Sequence, residues 1–344
     1  MRDEVLERAA KEEMQVHTDL ALEARESCGE GEEGIPGVNI RESVHGDFGV
    51  KVTWVEVLDE QGERALGKPC GSYITLEAER MAVHDESCHR EISEALAGYI
   101  RRLLRGFGNP RSVLVVGLGN QEVTSDSLGP QVLANLRITR HLETGRAEDR
   151  TEAGKGKEAE AKGKEETAGR GDAGRFSVSG IVPGVMAQTG METAEIIRGI
   201  VAETKPGALL VVDALAARSV SRLGTTIQLS NTGIRPGSGV GNHRHSLTRE
   251  SLGIPVVAVG VPTVVAAAAI VYDTVDALAE LLEAAGAGNA AEAVDGMTLP
   301  ERYQMVRELI EPRLGPMYVT PGNIDERVKL LGGIISEGIN QVFS

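Results

Sequence analysis

Two aspartates follow apolar runs of the kind that form buried strands. Asp213 comes directly after the run Leu209–Val212, and Asp126 lies shortly beyond the run Ser112–Val116. If both runs are parallel strands, the aspartates fall near their carboxyl ends, where open α/β sheets place their reactive groups. Two close carboxylates resist ionising together, so one can keep a proton and act as an acid while the other activates water. Taken alone, each aspartate also suits a helix cap.

The glycines between the run Ser112–Val116 and Asp126 suggest a tight turn more than a nucleotide site. Val116–Asn120 reads Val-Gly-Leu-Gly-Asn, and a dinucleotide-binding turn would carry a third glycine where this chain has Glu122. A turn from strand to helix that needs small residues is the simpler interpretation. Asn120, which ends this turn close to Asp126, is a candidate supporting residue.

A second polar cluster contains two histidines. His243 and His245 stand two residues apart on a glycine-rich loop, where they could bind a metal or polarise a carbonyl. Their spacing fits no known zinc motif, so a structural role is favoured and we predict neither a metal nor a cofactor. The three cysteines form no CxxC pair and give no nucleophile signature.

The elements that must position these residues alternate between strand and helix. This alternation predicts an α/β fold, a doubly wound and mostly parallel sheet with flanking helices, to which the β-rich region 37–79 is added at the N-terminal side. A helix is predicted over Glu91–Arg105, and two more helices fall within 300–344. The further predicted strands and helices are Gly129–Leu136, Val178–Val182, Met191–Thr204, Ala208–Val212, Thr225–Leu229, Val256–Val261 and Thr263–Leu282.

Composition narrows the class of protein further. The 344 residues carry a formal charge of -15, which argues against direct binding of nucleic acid, and 41% are apolar, which suits a folded chain. The uncharged stretch Ile254–Tyr272 contains two prolines, so we interpret it as strand, turn and helix and predict no membrane association. No signal peptide is recognisable, which favours the cytoplasm. Residues 143–175 hold only glycine, alanine, threonine and charged residues and are predicted to be a disordered insertion.

Five motifs together resemble the germination protease family of spore-forming bacteria. They cover most of the chain from about residue 18 to about residue 275, outside the insertion. The motifs are Thr124–Pro130, Val182–Thr193, Val212–Ser219, Asn231–Arg244 and Val259–Thr263.

The resemblance implies a fold, an activity and partners. It implies a core related to hydrogenase-maturation proteases, and an endopeptidase that degrades small acid-soluble spore proteins when the spore germinates. It further implies a homotetramer in the forespore or spore core, made as an inactive zymogen. The two aspartates implicated in catalysis in this family match Asp126 and Asp213, which makes an aspartic mechanism the expected one.

The chain itself indicates a site of maturation. Thr18–Glu23 reads Thr-Asp-Leu-Ala-Leu-Glu, which is similar to the Thr-Glu-apolar-Ala-Ser-Glu run at which the family cuts its substrates. We therefore predict cleavage between Asp19 and Leu20, with a propeptide at 1–19 and a single protease domain at 20–344. The alternative is that Thr18 or Asp19 merely caps a surface helix.

Two other functions remain open at this point. A hydrogenase-maturation-type endopeptidase would share the fold, but its residue matching Asp126 is usually Glu and it lacks the region 37–79. A nucleotide-binding module without enzymatic activity would use Gly117 and Gly119, although the third glycine of its motif is absent.

Overall fold

The computed structural model describes residues 18–28, 34–142, 176–237, 245–284 and 299–344. Three predictions therefore fall wholly or partly outside the described residues. They concern the first part of the propeptide, the insertion 143–175 and His243.

Nine strands of the described chain join in one mixed sheet. They are β1 Val38–His45, β2 Val50–Val57, β3 Gly71–Glu77, β4 Ser112–Gly117, β5 Ser177–Ile181, β6 Ala208–Ala217, β7 Thr226–Ser230, β8 Val256–Ala266 and β9 Tyr318–Val319. Their order across the sheet is β1-β2-β3-β7-β8-β6-β4-β5, and β9 pairs with the end of β8. The contiguous strands β5, β4, β6 and β8 run parallel, whereas the β1-β2-β3-β7 half is antiparallel.

Helices cover both faces of the parallel strands, which confirms the doubly wound α/β fold. The helices are α1 Ala21–Ser27, α2 Glu60–Leu66, α3 Glu86–Arg105, α4 Leu128–Ala134, α5 Met186–Thr189, α6 Thr193–Thr204, α7 Arg249–Leu252, α8 Ala267–Ala284, α9 Leu299–Leu314 and α10 Ile324–Val342. Val113 and Val115 of β4 pack into the core that contains α3, α4 and α10, and Leu114 and Val116 pack against α6. Alternate residues of one strand are thus buried on opposite faces, as the apolar run Ser112–Val116 predicts.

Two strands run further than the sequence predicts. Asp213 was expected to end its strand, but β6 continues to Ala217; a helix was expected from Thr263, but β8 continues to Ala266. The extensions stabilise each other, since Leu215–Ala217 pairs with β8 across a register shift. Pro262 lies beside that irregularity, one of the few places where a sheet accepts proline. The apolar run at the end of β8 is compatible with either a strand or a helix, and its pairing with β6 makes it a strand.

The short helix α2 interrupts the region 37–79 that was predicted to be β-rich. The carboxylate of Asp59 caps α2 by accepting hydrogen bonds from the backbone N–H groups of Gln61 at 2.9 Å and Gly62 at 3.0 Å. Gly67 ends the helix in the left-handed conformation. The chain then passes directly to Lys68, so this helix fixes where that lysine enters the structure.

Within the described residues, none of the helices is long and apolar enough to cross a membrane.

Candidate active site

The turn after β4 holds Asp126 in place. Gly119 has a φ of +109°, and a Cβ at this position would collide with the carbonyl oxygen of Asp126. The next residue, Asn120, donates its backbone N–H to Oδ2 of Asp126 at 2.8 Å. The glycines therefore serve a tight turn that carries an aspartate at its end, which accounts for them without a nucleotide.

Asp213 lies at the same edge of the parallel strands. Its residue is 5% exposed, and its Oδ1 accepts a hydrogen bond from the N–H of Ala214 at 2.9 Å. Leu118, just past β4, donates its N–H to the carbonyl of Val212 at 2.8 Å, so the pairing of β4 with β6 ends beside Asp213. The turn Thr124–Asp126 packs against β6 and β8. The structure thus brings the two aspartates to one end of the sheet, as predicted, although Asp213 lies within its strand.

The backbone N–H of Asn120 contacts Asp126. Oδ1 of Asn120 accepts hydrogen bonds from Nε2 of Gln188 at 2.9 Å and from the N–H of Glu122 at 3.0 Å. His245 is exposed, in the segment leading to Leu247. Among the residues that the structure describes, no cluster of three or more His, Cys, Asp or Glu is placed to hold a metal ion.

The segment with the predicted cleavage bond is docked against β6. Asp19 donates its N–H to the carbonyl of Ala216 at 3.2 Å, and the N–H of Ala216 donates to Oδ2 of Asp19 at 2.9 Å. The side chain of Leu20 is fully buried, in a cluster that includes Leu215. A helix does begin at Ala21, but neither Thr18 nor Asp19 caps it. The start of this helix is therefore buried against β6 rather than exposed, and it lacks the predicted cap.

Two residues that sequence reasoning missed contact the carbonyl of Asp19. Lys68 donates from Nζ to this oxygen at 3.1 Å and to the carbonyl of Thr18 at 2.9 Å. Gln228 of β7 donates from Nε2 to the same oxygen at 3.0 Å. Gln228 could have been found from the sequence, because it is a polar residue between Ile227 and Leu229 in a predicted strand. The sequence around Lys68 contains no such signal.

Burial lowers the pKa of Lys68 below its ordinary value. The negative charges of Asp19 and Glu23 act in the opposite direction, and Arg235 adds to the lowering. Nζ of Lys68 thus lies against the backbone carbonyls of Thr18 and Asp19, where a negative charge developing nearby would be attracted.

The other end of the docked segment is held by a buried carboxylate. Glu23 has no exposed surface, and its oxygens accept hydrogen bonds from the N–H groups of Arg218 at 2.8 Å and Ser219 at 2.9 Å. Nε of Arg222 lies 3.5 Å from Oε1 of Glu23, and the hydroxyl of Thr18 donates to the other oxygen. The first residue of the motif, Thr18, is thus hydrogen-bonded to the carboxylate of its last residue, Glu23.

The chain is similar to germination proteases over almost its entire length. A relative from Caldanaerobacter subterraneus subsp. tengcongensis is 44% identical over 94% of this chain and 93% of its own. A relative from Clostridium tetani is 42% identical, with 95% of each chain covered, and one from Bacillus velezensis is 36% identical over 94% of this chain and 92% of its own. All three are named germination protease.

Among solved structures, the [NiFe] hydrogenase maturation protease HycI from Thermococcus kodakarensis matches 70% of this chain and 98% of its own. The identity is 15% and the TM-score 0.29, a likeness that does not establish a common fold. The model of the family described as germination protease matches residues 14–163 and 164–290. With that match and relatives of this identity and coverage, the chain belongs to the germination protease family.

Proposed function

We propose that this germination endopeptidase is made as a zymogen that cuts its own Asp19–Leu20 bond and releases residues 1–19. The observation that carries the proposal is the docked segment Thr18–Glu23. Its backbone is bound at Asp19, its apolar residue Leu20 is buried, and its terminal carboxylate is bound at Glu23. These are the contacts by which an enzyme holds a peptide substrate.

Asp126 and Asp213 would divide the acid and base roles in this cleavage. Of two carboxylates at one sheet edge, the protonated one can donate to the departing nitrogen while the ionised one takes a proton from the attacking water. The backbone N–H of Asn120 orients the carboxyl group of Asp126, and the backbone N–H of Ala214 orients that of Asp213. The assignment needs no metal or organic cofactor.

The same site would act on small acid-soluble spore proteins after maturation. Their Thr-Glu-apolar-Ala-Ser-Glu run presents an acidic residue, an apolar residue and a final carboxylate at the spacing of Asp19, Leu20 and Glu23. Family membership also supports a homotetramer in the spore core, which light scattering of the purified protein and fractionation of spores would test.

The experiment is to incubate the full chain at mildly acidic pH and to sequence the new N-terminus. We expect it to begin at Leu20, and the matured protein to cut an α/β-type spore protein. Asp126→Asn and Asp213→Asn should each slow both reactions by ~10²–10⁴, the usual loss with an acid or base group. Asp325→Asn, at an exposed position of α10, is the control and should match the wild type.

Cleavage at another bond, or no shortening, would contradict the maturation site. Near-wild-type rates in either active-site variant would contradict the aspartate pair and leave the cleavage site standing.

A further inference from the structure

We propose that Lys68 and Gln228 are catalytic residues that polarise the carbonyl of Asp19 and stabilise the oxyanion formed on it during hydrolysis. The inference rests on the proposed cleavage at Asp19–Leu20. It assigns activation of the carbonyl group to two side chains outside the aspartate pair.

Both donors converge on one oxygen. Nζ of Lys68 lies 3.1 Å and Nε2 of Gln228 lies 3.0 Å from the carbonyl oxygen of Asp19, the carbonyl of the bond to be cut. When water adds to this carbonyl, the oxygen gains a full negative charge. Donors already aimed at the oxygen stabilise that charge without reorganising, which is often the largest single contribution to such a reaction.

Gln228 also fixes the peptide on the far side of the bond. Its Oε1 accepts the N–H of Ala21 at 2.6 Å, so the one amide binds the groups on either side of Leu20. Because the oxygen of the amide is committed to that N–H, its NH₂ group must face the carbonyl of Asp19. The orientation needed to stabilise an oxyanion is therefore set by the second contact.

The sheet places this clamp on the same face as the catalytic carboxylate. Gly260 of β8 is paired with Asp213 on one side and with Gln228 on the other. Residues paired side by side in a sheet point to one face, so the two side chains flank a residue that has none. A Cβ on Gly260 would collide with Leu215, a neighbour of Leu20 in the same apolar cluster.

The reaction balances with water as its only added reactant. A water oxygen bonds to the carbonyl carbon of Asp19, and the C=O electron pair moves to the oxygen held by Lys68 and Gln228. The ionised aspartate of the pair takes one proton from the attacking water. The electron pair then returns, the bond to the nitrogen of Leu20 breaks, and that nitrogen takes a proton from the protonated aspartate. The products are a carboxylate on Asp19 and an ammonium group on Leu20, which carries both protons of the water.

The test follows conversion of the full chain at mildly acidic pH in two variants. Gln228→Glu keeps an acceptor for the N–H of Ala21 but removes the amide donor, and Lys68→Met removes the cation. Loss of one such donor costs ~10²–10³ in rate, and we expect each variant to slow by that factor. Lys68→Arg should recover part of the loss. Lys51→Met, at an exposed lysine of β2, should convert like the wild type.

A pH profile separates catalysis from mere support of the segment. A protonated carboxyl can donate again, so the ratio of the Gln228→Glu rate to the wild-type rate should rise as the pH falls. Hydrogen exchange at Leu20 and Ala21 reports whether the segment remains docked in each variant.

Wild-type rates in both variants would overturn the inference while leaving cleavage at Asp19–Leu20 in place. Slow conversion with unprotected amides would also overturn it, because the two residues would then only hold the segment. A wild-type N-terminus other than Leu20 would overturn the proposed cleavage and this inference together.

Discussion

A single carboxylate, Glu23, joins most of the contacts at the far end of the docked segment. It lies fully inside the protein and is bound by two backbone N–H groups and by Arg222. Arg222 also pairs with Glu77 and, at 2.5 Å, with the exposed Glu26. Arg222 thus pairs with a buried glutamate and an exposed glutamate on the same helix. Replacing each in turn measures how burial changes the contribution of a glutamate to stability.

We predict that Glu23→Gln destabilises the full chain by about 2–3 kcal/mol, because hydrogen bonds to a buried charge are worth more than neutral ones. Glu26→Gln, the matched control, should cost less than about 1 kcal/mol, as exposed ion pairs do. Urea unfolding at neutral pH measures both values. Equal losses would show that the buried carboxylate is not the one that anchors the segment.

The residues of the site differ in how far the sequence could reveal them. Asp126 and Asp213 were predicted because acidic residues close to buried strands are rare and costly without a purpose. Lys68 and Gln228 were not, because their role depends on a peptide that comes from elsewhere in the chain. Their contacts join residues about 50 and about 200 positions apart, and no local pattern carries that information.

Among the elements, periodicity located the strands β4 to β8 and the helices α3, α4, α6, α8, α9 and α10, with the main errors in their ends. The short elements α5, α7 and β9 were not predicted. The strands β6 and β8 each extend several residues beyond their predicted limits because each supplies the other with a partner. The helix α2 was missed because seven residues with few apolar positions give no periodic signal. Tertiary pairing decides such cases, and pairing is not visible in one sequence.

Strand β3 provides a test of how the docked segment is packed. The ring of Tyr73 is buried in a cluster with Ala21, and its hydroxyl donates to the carbonyl of Pro69 at 2.9 Å. Burial raises the pKa of Tyr73 to about 12. Since the unfolded phenol ionises near pH 10, the protonated ring contributes stability below that pH, and the contribution is lost as the pH rises towards the folded pKa.

We predict that the wild type loses about 1 kcal/mol more stability than Tyr73→Phe between about pH 9 and about pH 11, since one pKa unit corresponds to about 1.4 kcal/mol. Denaturant unfolding of both proteins at the two pH values gives the difference. Parallel losses in the two proteins would mean that the ring can reach water in the folded state.

At the scale of the molecule, the sheet combines two halves that the sequence distinguishes clearly. Near-continuous apolar runs indicated the parallel half, and the β-rich region 37–79 indicated the strands β1 to β3 of the antiparallel half. That β7 joins them, between β3 and β8, could not be read from the chain, because β7 follows β6 in sequence but does not pair with it. This junction is what brings Gln228 to the site.

The described residues on either side of the segment 143–175 are joined by hydrogen bonds. The hydroxyl of Thr139 donates to the carbonyl of Phe176 at 2.8 Å, and its N–H donates to the carbonyl of Val178 at 2.9 Å. We predict that replacing 143–175 by about six glycine and serine residues, a common loop length, leaves the melting temperature and the conversion rate unchanged. Thr139→Ala in the shortened chain should lower the melting temperature. A slower conversion of the shortened chain would show that the segment serves the reaction.

The complete burial of Leu20 makes the docked arrangement suited to an amide and unsuited to what hydrolysis leaves behind. Before cutting, the nitrogen of Leu20 is neutral and donates to the hydroxyl of Thr18 at 3.1 Å. Afterwards it would be a chain-terminal amine, which carries a positive charge below about pH 8. A cation enclosed among apolar side chains is costly, so mild acidity would drive the new terminus out of the cleft. The first turnover would then clear the site for the next peptide.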